Sequence, residues 1–76
     1  MKYVKDYSFY DINKLLFGKN VQFVSDCEFF PNFNVICKIK DIHIKGNETL
    51  FEVTTKSNKH LTIGSNMKNL RFKLLN

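Results

Sequence analysis

Apolar residues recur along the chain first at a helical spacing and then at every second position. Phe9, Ile12, Leu15 and Leu16 form one stripe of an amphipathic helix. Ser8 stands before it with Asp11 three positions on, a short-armed capping box. Gly18 follows as a left-handed cap. This spacing predicts a helix over about 9–17. It is too short to be stable alone, so it is expected to lie across an open end of the core.

After Lys19 the period becomes two. Val21 and Phe23 alternate with Asn20 and Gln22 in a first strand. Residues 25–32 break the pattern, and Pro31 excludes a central strand there because it cannot donate to a ladder. The next apolar set runs from Phe33 to Ile44. Phe33, Val35, Cys37 and Ile39 share one parity, whereas Ile42 and Ile44 take the other. A regular strand cannot bury both sets. One extra residue near Lys40 and Asp41, a β-bulge, restores the face and bends the strand.

Gly46-Asn47 marks a tight hairpin of type I′ or II′. Phe51 and Val53 belong to a third strand, and residues 56–59 form a second turn. Leu61 and Ile63 make a fourth strand, ended by Gly64-Ser65-Asn66. Residues 67–69 fit a single helical turn, and Leu70, Phe72 and Leu74 alternate in a fifth strand with Arg71 and Lys73 outward. The expected architecture is mainly β: a small, five-stranded, strongly bent antiparallel barrel, only partly closed, behind a short N-terminal helix. Residues 1–76 form a single domain.

Two segments carry a family resemblance. Ile12-Asn13-Lys14-Leu15-Leu16-Phe17-Gly18-Lys19-Asn20-Val21 resembles the amphipathic helix of the Sm and Sm-like RNA-binding proteins, running through a Gly-Lys into their first strand. Ile63-Gly64-Ser65-Asn66-Met67 is similar to the point where their fourth strand turns into the fifth. SH3-like barrels share the strand order. The resemblance is one of architecture and implies the fold, not a ring assembly or a particular base.

Charge changes the picture more than size does. The 76 residues include 12 Lys and Arg against 7 Asp and Glu, a formal charge of +5. The first 37 residues are balanced, so the whole excess lies beyond Cys37. No acid follows Glu52, whereas Lys56, Lys59, Lys68, Arg71 and Lys73 all do. On a curled sheet these five are expected to share one basic face for the backbone of RNA or DNA. The bland alternative is lysines that merely solvate strand edges.

A second surface is the aromatic loop 26–34. If Phe29 or Phe30 is exposed there, it makes an anchor for a protein partner, with Tyr10 and its fellow tyrosines extending the patch. The alternative function is therefore a small inhibitor or adaptor acting on a host protein. Richness in Lys, Asn, Ile and Phe suits an AT-rich genome, such as that of a low-GC bacterium, its phage or a mobile element.

Catalytic chemistry finds no support. Cys37 and His43 are six residues apart, the acids are scattered, and the three glycines cradle no phosphate. No enzyme activity, cofactor, metal or small-molecule substrate is expected. Cys27 and Cys37 cannot build a disulfide framework and are expected as reduced thiols. With no membrane-length apolar run or secretory leader, the expected location is the cytoplasm.

Overall fold

A computed structural model describes residues 1–29 and 32–76. The chain opens with a two-residue strand, β1 (Lys2–Tyr3), a 3-10 turn (Val4–Asp6) and helix α1 (Phe9–Leu16). Five longer strands follow: β2 (Asn20–Ser25), β3 (Phe33–Lys45), β4 (Glu48–Thr55), β5 (His60–Gly64) and β6 (Arg71–Leu74). All pairings are antiparallel, in the order β1-β6-β2-β3-β4-β5. The sheet is open: β1 and β5 are its two edges.

The helix forms where the apolar stripe places it. The Ser8 hydroxyl accepts a hydrogen bond from the Asp11 amide at 3.1 Å, satisfying one of the helix's unpaired donors. Gly18 sits at φ 74°, the left-handed conformation that ends a helix at little cost. Its N–H donates to Ile39 O at 3.1 Å and so ties the helix end to β3. Ile12 and Leu16 are fully buried, with Phe9 and Leu15 packed beside them. The helix covers the core as expected.

The parity switch in β3 is a bulge. Ile39 pairs with Val53 and Asp41 with Glu52, so Lys40 is the inserted residue. Ile39 and Ile42 are consequently both buried. At about 3.3 Å per residue a straight 13-residue strand would run roughly 40 Å. The whole molecule measures only 27 Å along its longest axis, so β3 is strongly bent. At the β3–β4 hairpin, Gly46 has φ 62° and Asn47 is not left-handed, the sign pattern of a type II′ turn.

Several expectations are corrected. The sheet has six strands, not five, because Lys2–Tyr3 pairs with Phe72 and Arg71. The added strand is followed by buried Val4, and Tyr7 packs edge-on against Phe72 with ring centroids 5.6 Å apart. Its two strand residues were too few to give a period. No hydrogen-bonded seam joins the two edges, so five strands closing into a barrel are not seen. Residues 67–69 make no helical turn. Two successive tight turns, Met67 N–H to Gly64 O and Leu70 N–H to Met67 O, do the reversal instead. Leu61, Ile44 and Leu74 have the right parity but lie at strand ends or edges and stay exposed.

Ser25 is the one buried polar side chain among the described residues of the core. Its hydroxyl donates to Lys68 O at 2.8 Å and accepts from the Cys27 amide at 3.2 Å, clamping the end of β2 to the turn before β6. Ser25→Ala is expected to cost about 1–3 kcal/mol by leaving the Cys27 amide without its acceptor, Lys68 O keeping the Asp26 amide. A urea unfolding midpoint equal to that of the wild type would contradict this.

Candidate nucleic-acid interface

The outer face of the sheet is set by the same alternation that builds the core. Lys38 lies between Asn20 on β2 and Thr54 on β4, its cross-strand partners. Its neighbours in sequence, Cys37 and Ile39, point inward, so Lys38 points out. Lys40 is thrust outward by the bulge. Lys56 opens the β4–β5 turn. These three lysines, with Asn20, Thr54 and Asn58, line a cleft of about 550 Å³. No Asp or Glu side chain lines it among the described residues.

The turn carrying Lys56 is tied down. Asn58 adopts φ 61°, a conformation that Asn tolerates well. Its N–H donates to Thr55 O at 3.0 Å, and the Thr55 amide donates to Lys59 O at 2.9 Å. The Thr55 hydroxyl takes the Lys59 amide at 3.2 Å and lies 3.0 Å from the Ser57 hydroxyl. The loop therefore presents its polar groups with little conformational entropy left to lose.

The five cations expected to share a face are dispersed. Lys56 lines the cleft, and Lys59 follows in the same turn without lining it. Lys68 and Arg71 lie at the opposite end of β2, where Lys68 O receives both the Ser25 hydroxyl and the Asp26 amide. Arg71 is neutralised there: its Nη2 meets Asp26 Oδ1 at 2.6 Å, and Asn69 Nδ2 donates to the other carboxylate oxygen at 3.0 Å. Lys73 stands opposite Gln22 and borders a separate groove with Lys2 and Leu74. Lys38 and Lys40 replace them. Counting charge after Glu52 missed both, because they precede it in sequence, on β3. The outward parity of Lys38 was the available signal.

Of the expected protein-binding residues, Phe29 is 87% exposed and Tyr10 is 70% exposed. They stand on different elements, the loop after β2 and the outer face of α1. Phe30 lies outside the described residues. Tyr10 borders a shallow groove along the helix with Lys14 and Phe17.

Among the described residues no three His, Cys, Asp or Glu side chains gather as a metal site, and no helix is long and apolar enough to cross a membrane. Cys37 and His43 are six positions apart on β3, roughly 20 Å along the strand. His43 instead stands 3.6 Å from Asp41. Cys37 is buried in the core, and desolvation pushes its thiol up to about 11. Set against known protein families, characterised proteins and solved structures, the chain matches none of them.

The raised Cys37 value has a direct consequence, because the thiolate is the reactive species. At pH 7.5 a thiol reagent is expected to label one sulfur of the native chain, Cys27, and both only in denaturant. Equal labelling rates for the two native thiols, followed by mass spectrometry, would contradict it.

Proposed function

We propose that the chain is a non-enzymatic binding module that holds a nucleic-acid backbone in the cleft of Lys38, Lys40 and Lys56. The bent sheet with its helical lid is, on this reading, a small Sm-like or SH3-like barrel left partly open. The observation that carries it is three lysines converging on a concave surface that no described Asp or Glu side chain lines and whose rim is fixed by hydrogen bonds. Lysine ammonium groups displace condensed counterions from phosphates, and the amides and hydroxyl of Asn20, Asn58 and Thr54 suit phosphate and sugar oxygens. Among the described residues no aromatic lines the cleft. A stacking platform for bases is therefore missing, and recognition falls on the backbone rather than on sequence.

The test is fluorescence anisotropy with a labelled single-stranded oligonucleotide across a salt series. Three phosphate contacts to a single strand imply a slope of log K against log salt of about −2. Replacing Lys38, Lys40 and Lys56 together by Ala is expected to weaken binding at least tenfold and flatten the slope. Replacing Lys68 and Lys73 is expected to leave both within about twofold. Equal losses from the two sets would remove the cleft as the site.

Phe29 favours a second reading, a protein-binding adaptor, because a phenyl ring left in water after β2 suits an interface anchor. Phe29→Ala should then abolish a nuclease-resistant protein capture while leaving oligonucleotide binding intact. Capture that survives the substitution would end this reading.

A further inference from the structure

The two edges of the sheet are not equivalent. On β6, Leu75 N–H donates to Asn20 O at 2.9 Å, which fixes the alternation of hydrogen-bonded pairs with β2. By that alternation Phe72 and Leu70 aim their backbone groups away from β2. These two are covered, since β1 pairs with Phe72 and Arg71 and Val4 N–H donates to Leu70 O at 2.9 Å; Leu74, turned outward by the same alternation, lies past the end of β1. This edge is therefore capped by the chain's own first residues, with Lys2, Lys5 and Lys73 around it.

The β5 edge is bare. Thr55 N–H to Lys59 O at 2.9 Å and Ser65 N–H to Thr49 O at 2.8 Å fix the alternation at its two ends. Leu61 and Ile63 thus exchange their hydrogen bonds with β4, while His60 and Thr62 aim both N–H and C=O outward and Gly64 its N–H, its carbonyl already taking the Met67 amide at 3.1 Å. The strand His-Leu-Thr-Ile-Gly carries no Lys, Asp, Glu or Pro, none of the usual devices that keep an edge from pairing. Leu61 faces the core side, opposite Val53, yet stays 37% exposed because nothing flanks it.

We propose that this edge pairs with the β5 of a second copy of the chain, antiparallel and centred on Thr62, giving a two-fold symmetric dimer. The register is self-complementary. Thr62 exchanges both its hydrogen bonds with the partner's Thr62, and His60 stands opposite the partner's Gly64, whose N–H faces the His60 carbonyl. Leu61 then lies against the partner's Ile63 on the core side and loses its exposure.

Charge selects the same arrangement. Glu48 folds its carboxylate across Gly64, where a methyl group would collide with it, and accepts the Asn66 amide at 3.2 Å. One end of β5 is thus acidic and the other carries Lys59 and His60. Antiparallel pairing sets the basic end of each copy beside Glu48 of the partner subunit, twice over. A parallel arrangement would set like charges together. The other edge strand, β1, is only two residues long and stands among Lys2, Lys5 and Lys73, which disfavours head-to-tail growth, so assembly closes at two.

Sedimentation equilibrium of the whole chain from 10 µM to 1 mM tests this. The wild type is expected to reach twice the chain mass. Thr62→Pro, which removes an outward N–H at an edge position that tolerates proline, is expected to remain monomeric with wild-type circular dichroism. His60→Glu is expected to weaken the dimer at least tenfold, and adding Glu48→Lys to recover most of that loss, a result that general unfolding cannot give. A wild type that stays at the chain mass at 1 mM, grows beyond two copies, or dimerises undiminished with Thr62→Pro would overturn the proposal.

Discussion

The contact between Phe23 and Phe51 is the constraint around which the molecule is built. Their ring centroids are 5.1 Å apart, and both side chains are fully buried. Yet they belong to β2 and β4, on opposite sides of β3. Phe23 pairs with Val35 and Phe51 with Ile42, positions seven residues apart on that strand. On a flat sheet that offset is roughly 23 Å. Only a sheet folded over itself along β3 lets the rings meet, and the bulge at Lys40 lies between the two pairing sites. The contact is both the reward for the bend and the measure of it.

The same bulge joins fold to candidate site. Inserting one residue keeps Ile39 and Ile42 on the core face, and it ejects Lys40 onto the concave outer surface between Lys38 and the Lys56 turn. The cleft is therefore not an accident of side-chain placement on an otherwise plain sheet. It follows from how the chain solves its packing problem. Away from the cleft, Arg71 is neutralised by Asp26, whose backbone and side chain also fasten the loop after β2 to the turn before β6.

Much of this was legible in the order of residues. The helix, its Ser8 cap, its Gly18 end and the bulge near Lys40 all follow from local periodicity and turn chemistry, which a single chain displays. The site was less legible because it depends on contacts between distant segments. Arg71 looked free in sequence because Asp26 lies 45 positions away. Lys38 and Lys40 escape a count of the cations after Glu52 because both precede it in sequence. In space Glu52 accepts from the Thr62 hydroxyl and Asp41 stands beside His43. The first strand escaped notice for a different reason: two residues give no period, and only the free edge of β6 defines them as a strand.

The central claim, that the inserted residue bends β3 and thereby makes the Phe23–Phe51 core, is tested most directly by deleting Lys40. The deletion leaves the ladder in register, because Asp41 would follow Ile39 directly and still face Glu52, with Ile42 still inward. Hydrophobic patterning is untouched, and only the bend is lost. In urea unfolding the account predicts a loss of at least about 2 kcal/mol, the scale of a large buried side chain deprived of its packing. Stability within about 0.5 kcal/mol of the wild type would contradict it and place the source of the bend elsewhere in the sheet.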